Sequence, residues 1–460
     1  MAKIRELLAP KNMTEGTPWK RIVQFAIPML IGNIAQQFYN TADSIIVGKY
    51  IGDNALAAVG SAGPVLNLLL VFFVGVATGA GIMVAQYFGA EDREALSRSI
   101  GVSITLTAIV SIIIMIIGPL VTRPLLRFLN TPDSIIDWCA EYLVIFFTGI
   151  MGFSYFNILS GVLRGLGDSV SALVFLLIST ALNVGLDILF IAKLNMGVEG
   201  VALATVISQG ISAVLCFIKL IQMRDVFDFN LKMLVPVREY STKLLKLGLP
   251  SGLTHAIFSF AMIAVQSLTN SFGEMIIACN VIVMRVDGFA MMPNFTFGDA
   301  MTTFVGQNIG ANKMDRVEKG VRDGTKIAVG ISTAVTITIL IFGKYLMHLF
   351  TDTDELVELS MYMMRILAVG YIAMAVTQCL SGVMRGAGDT TTPMWISFFT
   401  TIALRVPIAY GIAHFTQSTD YPAGRPEAVF ISLLIAWITG AITTTIFYKK
   451  GKWKDKAIVD

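Results

Sequence analysis

Several residues able to carry charge or bind ions occur where charge is expensive. Asn33, Gln36, Asn40 and Asp43 are spaced by three and four inside one apolar run, which puts them on one face of a helix. Asp187 lies in ALNVGLDILFI with Asn183 one turn before it, and Thr205, Ser208 and Gln209 follow in the next apolar run. Ionisable groups at membrane depth are costly and by default mark pathways or coupling sites. Burial disfavours the ionised form of a carboxylate, and a second carboxylate nearby disfavours it further. Asp43 and Asp187 could therefore load and release a proton, or hold a small cation. The competing reading is helix–helix hydrogen bonding that merely holds a bundle together. It accounts for a lone aspartate better than for two with matching amide and hydroxyl partners.

A second group lies in VMRVDGFAMMPNFTFGDAMTTF, which holds Asp287 and Asp299 with Arg285 beside the first. Arg285 and Asp287 are two apart and point to different faces of a helix. Asp299 is placed to line a cavity, and the surrounding Met and Phe side chains, Met291 among them, suit varied apolar cations. Packing or lipid-facing surface is the competing reading for each of these apolar residues.

The elements that must position these groups are hydrophobic helices. Of the 460 residues, 55% are hydrophobic and 14% charged, with a mean hydropathy of +0.73. Soluble domains carry about 25% charged residues, and a membrane-spanning helix needs about 20 mostly apolar ones. Twelve such stretches are predicted, near 20–48, 55–89, 96–122, 134–162, 170–192, 198–222, 243–270, 275–310, 324–348, 356–383, 391–415 and 427–448. The short alternating segments of a membrane β-barrel do not appear. With both termini inside, the cytoplasmic segments collect most of the 34 Lys and Arg, as multi-pass proteins of the plasma membrane require. The basic residues are then orientation signals, and the net charge of +3 implies no nucleic-acid partner. The first span lacks the pattern of a cleaved signal peptide and is predicted to be retained. Cys139, Cys216, Cys279 and Cys379 are scattered, with neither metal-ligand spacing nor a disulfide framework.

An internal repeat organises the chain. SGVLRGLGD at 160–168 recurs as SGVMRGAGD at 381–389, seven of nine residues identical at an offset of 221. VAQYFGA at 84–90 matches VGQNIGA at 305–311, Gly52 falls on Gly273, and Pro28 on Pro250. Each half holds six spans, so the halves enter the membrane in the same sense, as parallel repeats around a central cavity. The predicted division is a six-helix bundle over 1–222, a cytoplasmic connector over 223–240, and a second bundle over 241–460. The glycines of the two Arg-Gly-x-Gly-Asp segments read as tight-turn signals, with Arg164 and Arg385 facing the negative ends of helix dipoles. Pro28 and Pro250 read as residues near helix starts, where the missing N–H costs nothing. The positions matching Asp43, Asn183 and Asp187 in the second half are Ala264 or Val265, Leu404 and Ile408. The halves share a scaffold and differ in chemistry.

No H-E-x-x-H, G-x-S-x-G or phosphate-cradling loop is found, and the only histidines are His255, His348 and His414. An enzyme is therefore not expected, nor any catalytic residue, bound metal or cofactor.

The whole chain resembles the multidrug and toxic compound extrusion (MATE) family. The likeness rests on two six-span halves, the Gln86–Gly89–Ala90 and Gln307–Gly310–Ala311 turns, and the paired Arg-Gly-x-Gly-Asp turns. Local sequence is most similar to the DinF-like branch. That resemblance implies a coupling-ion site for H+ or Na+ at Asp43, Asn183, Asp187 and Thr205. NorM-like members carry a glutamate in the first helix of the second half; this chain has His255 there and no glutamate. The resemblance implies a secondary active antiporter, here with Gln36, Asn40, Asp187, Met291 and Asp299 facing its substrates. Those would be lipophilic or cationic small molecules, and a monomer would suffice. The rival is a flippase for a lipid-linked saccharide, which should line its cavity with several Arg or Lys. Only Arg285, Arg365 and Arg405 are candidates for that.

Overall fold

The structure, a computed structural model, describes residues 11–129 and 131–459; the side chains of 40–45, 48, 53, 54, 56, 64 and 68–70 fall outside the description. The described residues are almost wholly helical. In the first half come α1 (Pro18–Tyr50), α2 (Asp53–Gly89), α3 (Arg93–Phe128), α4 (Ile136–Thr148), α5 (Ile150–Gly165), α6 (Ser169–Asp187) with a π-wound extension (Ile188–Lys193), and α7 (Val198–Gln222). The second half holds α8 (Arg238–Ser271), α9 (Glu274–Gly310), α10 (Met314–His348), α11 (Asp354–Ala368), α12 (Gly370–Gly386), α13 (Thr391–Ser397), a π-wound stretch (Phe398–Leu404), α14 (Arg405–Phe415) and α15 (Glu427–Lys450). Among the described residues nine helices are long and apolar enough to cross a membrane. The pairs α4–α5 and α11–α12, bent by 54° and 45°, qualify as two broken spans. With α1, which bears the polar stripe, these account for all twelve segments.

The helices are inside-out by the standards of a water-soluble protein. On α3, Ser97, Ser99, Ser103, Thr107 and Ser111 are buried, whereas Ile112, Ile113, Ile116, Ile117 and Leu120 are exposed. Each of the first four hydroxyls bonds the carbonyl one turn back, at 2.7–2.8 Å. Ser111 instead meets Ser154 of α5 at 2.6 Å. Lipid offers no hydrogen bonds, so polar groups turn inward and small hydroxyl residues let helices approach.

Contacts divide the described chain into two compact units, one of 11–12 with 27–252 and the other of 13–26 with 253–458. In the first, a core runs through Phe73, Cys139, Leu143, Phe146, Phe147, Ile191 and Val201. In the second, Val283, Met291, Met364, Tyr371, Phe430 and Trp437 form the centre. Two of the changes of membership fall beside Pro28 and Pro250. Both prolines lie in helix interiors, not near helix starts as the sequence suggests, because α1 begins at Pro18 and α8 at Arg238. The polar residues before each proline, which resemble a leader segment, are already helical. Each proline removes an N–H from the ladder and crowds the carbonyl four residues back.

The repeated turns have a local physical cause. Gly167 and Gly388 take φ of +86° and +100°, a left-handed conformation that glycine adopts without penalty. The aspartate that follows caps the next helix. Asp168 accepts from Ser171 N at 2.8 Å, and Asp389 from Thr392 N at 3.1 Å. Arg385 is not confined to a helix-end role, since Nη2 lies 3.7 Å from Asp299 Oδ1.

The segment between α7 and α8 is strapped along α3. Arg93 bonds Asp228 Oδ1 at 2.8 Å and the carbonyls of Asp225 and Arg224 at 2.7 Å. Arg98 and Thr105 bond the carbonyls of Lys232 and Leu234 at 2.7 and 2.6 Å. A Cβ at Gly101 would run into the Met233 carbonyl. Gly101→Ala should therefore destabilise the protein by about 1–3 kcal/mol, read as a lowered unfolding midpoint in detergent.

Candidate functional site

The polar group of the first unit is built by α6 and α7. Asn183 and Asp187, one turn apart, are 1% and 0% exposed, and Asp187 is the last residue of α6 before the backbone widens into the π-wound turn. Such widenings interrupt the regular helix ladder and occur at functional positions. With its amide nitrogen turned toward Asp187, Asn183 donates to Oδ2 at 2.8 Å and accepts from the Thr205 backbone N–H at 3.1 Å. Thr205 Oγ1 lies 3.3 Å from the same amide, and its hydroxyl donates to the Val201 carbonyl at 3.1 Å. Three of the four predicted coupling residues thus meet in one buried cluster. One turn further along α7, Gln209 Oε1 is buried without a hydrogen-bond partner. The cluster offers a carboxylate, an amide and a hydroxyl, a set of hard oxygen donors suited to a proton or a small cation.

Asp43 and Asn40 belong to α1, but their side chains lie outside the described residues. Gln36, also on α1, is exposed. Met291 is 5% exposed in the core of the second unit, where its thioether accepts from Asn294 Nδ2 at 3.7 Å. Asp299 is half exposed beside Arg385, and His255 is exposed on α8. Met291 and Asp299 belong to the second unit, and the Asp187 cluster belongs to the first. Among the described residues no group of three or more His, Cys, Asp or Glu converges as a metal site, and all four cysteines are free and buried.

Asp287 on α9 is partly buried with its Oδ1 lacking a hydrogen-bond partner, while the Tyr371 hydroxyl of α12 donates to Met364 Sδ at 3.1 Å. Arg285 is exposed and makes no ion pair with Asp287.

Comparisons with known proteins agree with this architecture. The MatE family description matches residues 28–189 and again 250–411, two copies that begin at the two mid-helix prolines. The chain is 28% identical to the probable multidrug resistance protein YoeA of Bacillus subtilis, covering 100% of this chain and 99% of that protein. It is also 28% identical to the probable multidrug resistance protein NorM of Thermotoga maritima, covering 96% of this chain and 94% of that one. Among solved structures, a MATE in complex with MaL6 superposes with a TM-score of 0.89 at 27% identity, covering 96% of this chain and 98% of that one. A repeated match over most of the length, on an all-helical twelve-segment scaffold, identifies the chain as a member of the MatE family of multi-pass membrane transporters.

Proposed function

We propose that the protein is a secondary active antiporter of the plasma membrane, with both termini cytoplasmic. It exports lipophilic or cationic compounds in exchange for H+ or Na+. The observation that carries the reading is Asp187, a fully buried carboxylate hydrogen-bonded by Asn183 and packed beside Thr205. A buried carboxylate must be compensated, and an exchangeable cation does so reversibly. The family resemblance names Asp43 as the fourth coupling residue, and Gln36, Asn40, Asp187, Met291 and Asp299 are the proposed substrate-binding residues. The names of the bacterial relatives support the choice of substrate class. One charge falling through roughly 150 mV releases roughly 3.5 kcal/mol, enough to sustain a gradient of a few hundredfold.

The test is efflux of a fluorescent lipophilic cation from proteoliposomes under imposed proton or sodium gradients. Efflux driven by one gradient and not the other names the coupling ion. No gradient-driven efflux of any cation from folded protein would overturn the reading in favour of a lipid-linked saccharide carrier. Thr205→Val removes a hydroxyl beside the Asn183 amide while keeping shape. A neutral hydrogen bond contributes about 1 kcal/mol, so the concentration of coupling ion giving half-maximal efflux should rise about fivefold, with the maximal rate largely retained.

A further inference from the structure

The two halves use one helix face in different ways. In the first, Ser97, Arg98, Gly101 and Thr105 of α3 hold the segment between α7 and α8. Ser97 Oγ accepts from Asp228 N at 2.8 Å, and Arg98 and Thr105 bond the Lys232 and Leu234 carbonyls. The Met233 carbonyl lies against Gly101. At the 221-residue offset of the repeat these four positions become Glu318, Lys319, Arg322 and Lys326 of α10. Small residues that admit a backbone are thus replaced by long charged ones. A strap of the first-half kind cannot lie on α10, since Arg322 stands where even a Cβ would collide with a carbonyl.

That face of α10 lines a cavity instead. Helices α10 and α15 both pack against α12 and not closely against each other, which leaves a groove of about 390 Å³ between them. Val321, Val329 and Tyr448 supply its apolar walls, and Arg322 and Lys326, one turn apart, line it as well. Arg322 is 65% exposed and lies 3.7 Å from Asp323. Lys326 is exposed and makes no ion pair among the described residues. The chain after α15 builds the foot of the groove. Trp453 is buried, donates from Nε1 to the Tyr448 carbonyl at 2.9 Å, and stacks on the Tyr448 ring with centroids 5.4 Å apart. Lys454 then bonds Glu318 at 2.7 Å, which ties this turn to α10. Beyond Lys326 the same face of α10 continues through Gly330, Ile337 and Ile341, all exposed. The groove therefore lies where a membrane-crossing helix passes from charged to lipid-facing residues.

We propose that this groove binds one phospholipid with an anionic headgroup. Arg322 and Lys326 supply the counter-charges for the headgroup, and an acyl chain runs from Val329 along Ile337 and Ile341. Long basic side chains suit such a place, because the stem lies on apolar surface while the charged head stays polar. Anionic lipid also collects in the leaflet that basic segments face. The apolar walls select a lipid over a free phosphate ion. Lipid thus occupies in the second half the helix face that the first half covers with its own chain. Occupancy requires only a membrane around α10 and not antiport, so failure of either reading leaves the other standing.

The test is native mass spectrometry of the full chain in detergent, titrated with dioleoylphosphatidylglycerol or, separately, dioleoylphosphatidylcholine. Wild type should retain one phosphatidylglycerol per chain in preference to phosphatidylcholine; equal retention would overturn an anionic site. Arg322→Gln/Lys326→Gln should weaken binding about thirtyfold, at about fivefold for each interfacial cation. Lys449→Gln/Lys450→Gln makes the same change of charge at the end of α15, outside the groove lining, and should weaken binding far less. Equal losses in the two pairs would sink the proposal. Val329→Trp fills the groove while leaving both cations, and should abolish retention. Lipid retained one-to-one by folded Val329→Trp would remove the groove as its seat. If Val329→Trp does not fold, the glutamine pairs decide, since all four residues are exposed. Two further results would overturn a lipid occupant: displacement of the lipid by inorganic phosphate, or a dimer of the chain that Val329→Trp dissociates.

Discussion

Asp187→Asn is expected to abolish gradient-driven export while leaving the protein folded. Asparagine has nearly the size of aspartate but cannot ionise, so it needs no compensating cation and exchanges none. The side chain it replaces is fully buried, with Asn183 Nδ2 donating to Oδ2 at 2.8 Å. The new side chain can place its amide oxygen where Oδ2 was and accept from Asn183 Nδ2, so the local hydrogen bonding survives. What is lost is the driving term, roughly 3.5 kcal/mol per charge at roughly 150 mV. Steady-state accumulation in proteoliposomes should therefore collapse from a few hundredfold to near unity. Downhill movement of the same compound should persist, which separates a coupling defect from a folding defect. An Asp187→Asn protein that still concentrates substrate against its gradient would remove the site from the mechanism.

Gly382→Ala should be the most damaging of the conservative changes to the scaffold. A Cβ at Gly382 would collide with the Gly298 carbonyl of α9. The obstacle is backbone within a helix, so no rotamer change relieves it, and α9 and α12 would have to move apart. Overpacking of this kind costs about 1–3 kcal/mol and more where backbone blocks relaxation. Gly330 of α10 supplies the control, since a Cβ there meets nothing within 4 Å. Gly330→Ala should be neutral or mildly stabilising through helix propensity. The unfolding midpoint and the yield of monodisperse protein in detergent would check both. Equal midpoints would mean that the close approach of α9 and α12 does not limit stability.

Much of the scaffold was legible because lipid imposes one rule on every segment. A run of about 20 apolar residues must be a helix there, since no other open conformation satisfies its own backbone. The twelve segments and the repeated turns follow from that rule and from local glycine chemistry. The pairing of Asn183 with Asp187 was legible for a related reason, as residues four apart share a helix face. The prolines show where local reasoning fails. Polar residues before Pro28 and Pro250 resemble a helix approach, yet α1 and α8 begin at Pro18 and Arg238. Neighbouring elements hold those first turns in place. Arg316 alone bonds the carbonyls of Met13, Glu15 and Gly16 just ahead of α1.

The sequence by itself determined the class of molecule, the two-fold repetition, and which half carries the Asn-x-x-x-Asp pair. These depend on hydropathy and on spacings of three, four or 221 residues. Only the tertiary structure decided that Thr205 reaches Asn183 and that Met291 is core. Such contacts join residues on different helices. Which faces meet is settled by packing and by the need to compensate buried charge, and neither leaves a periodic mark along the chain.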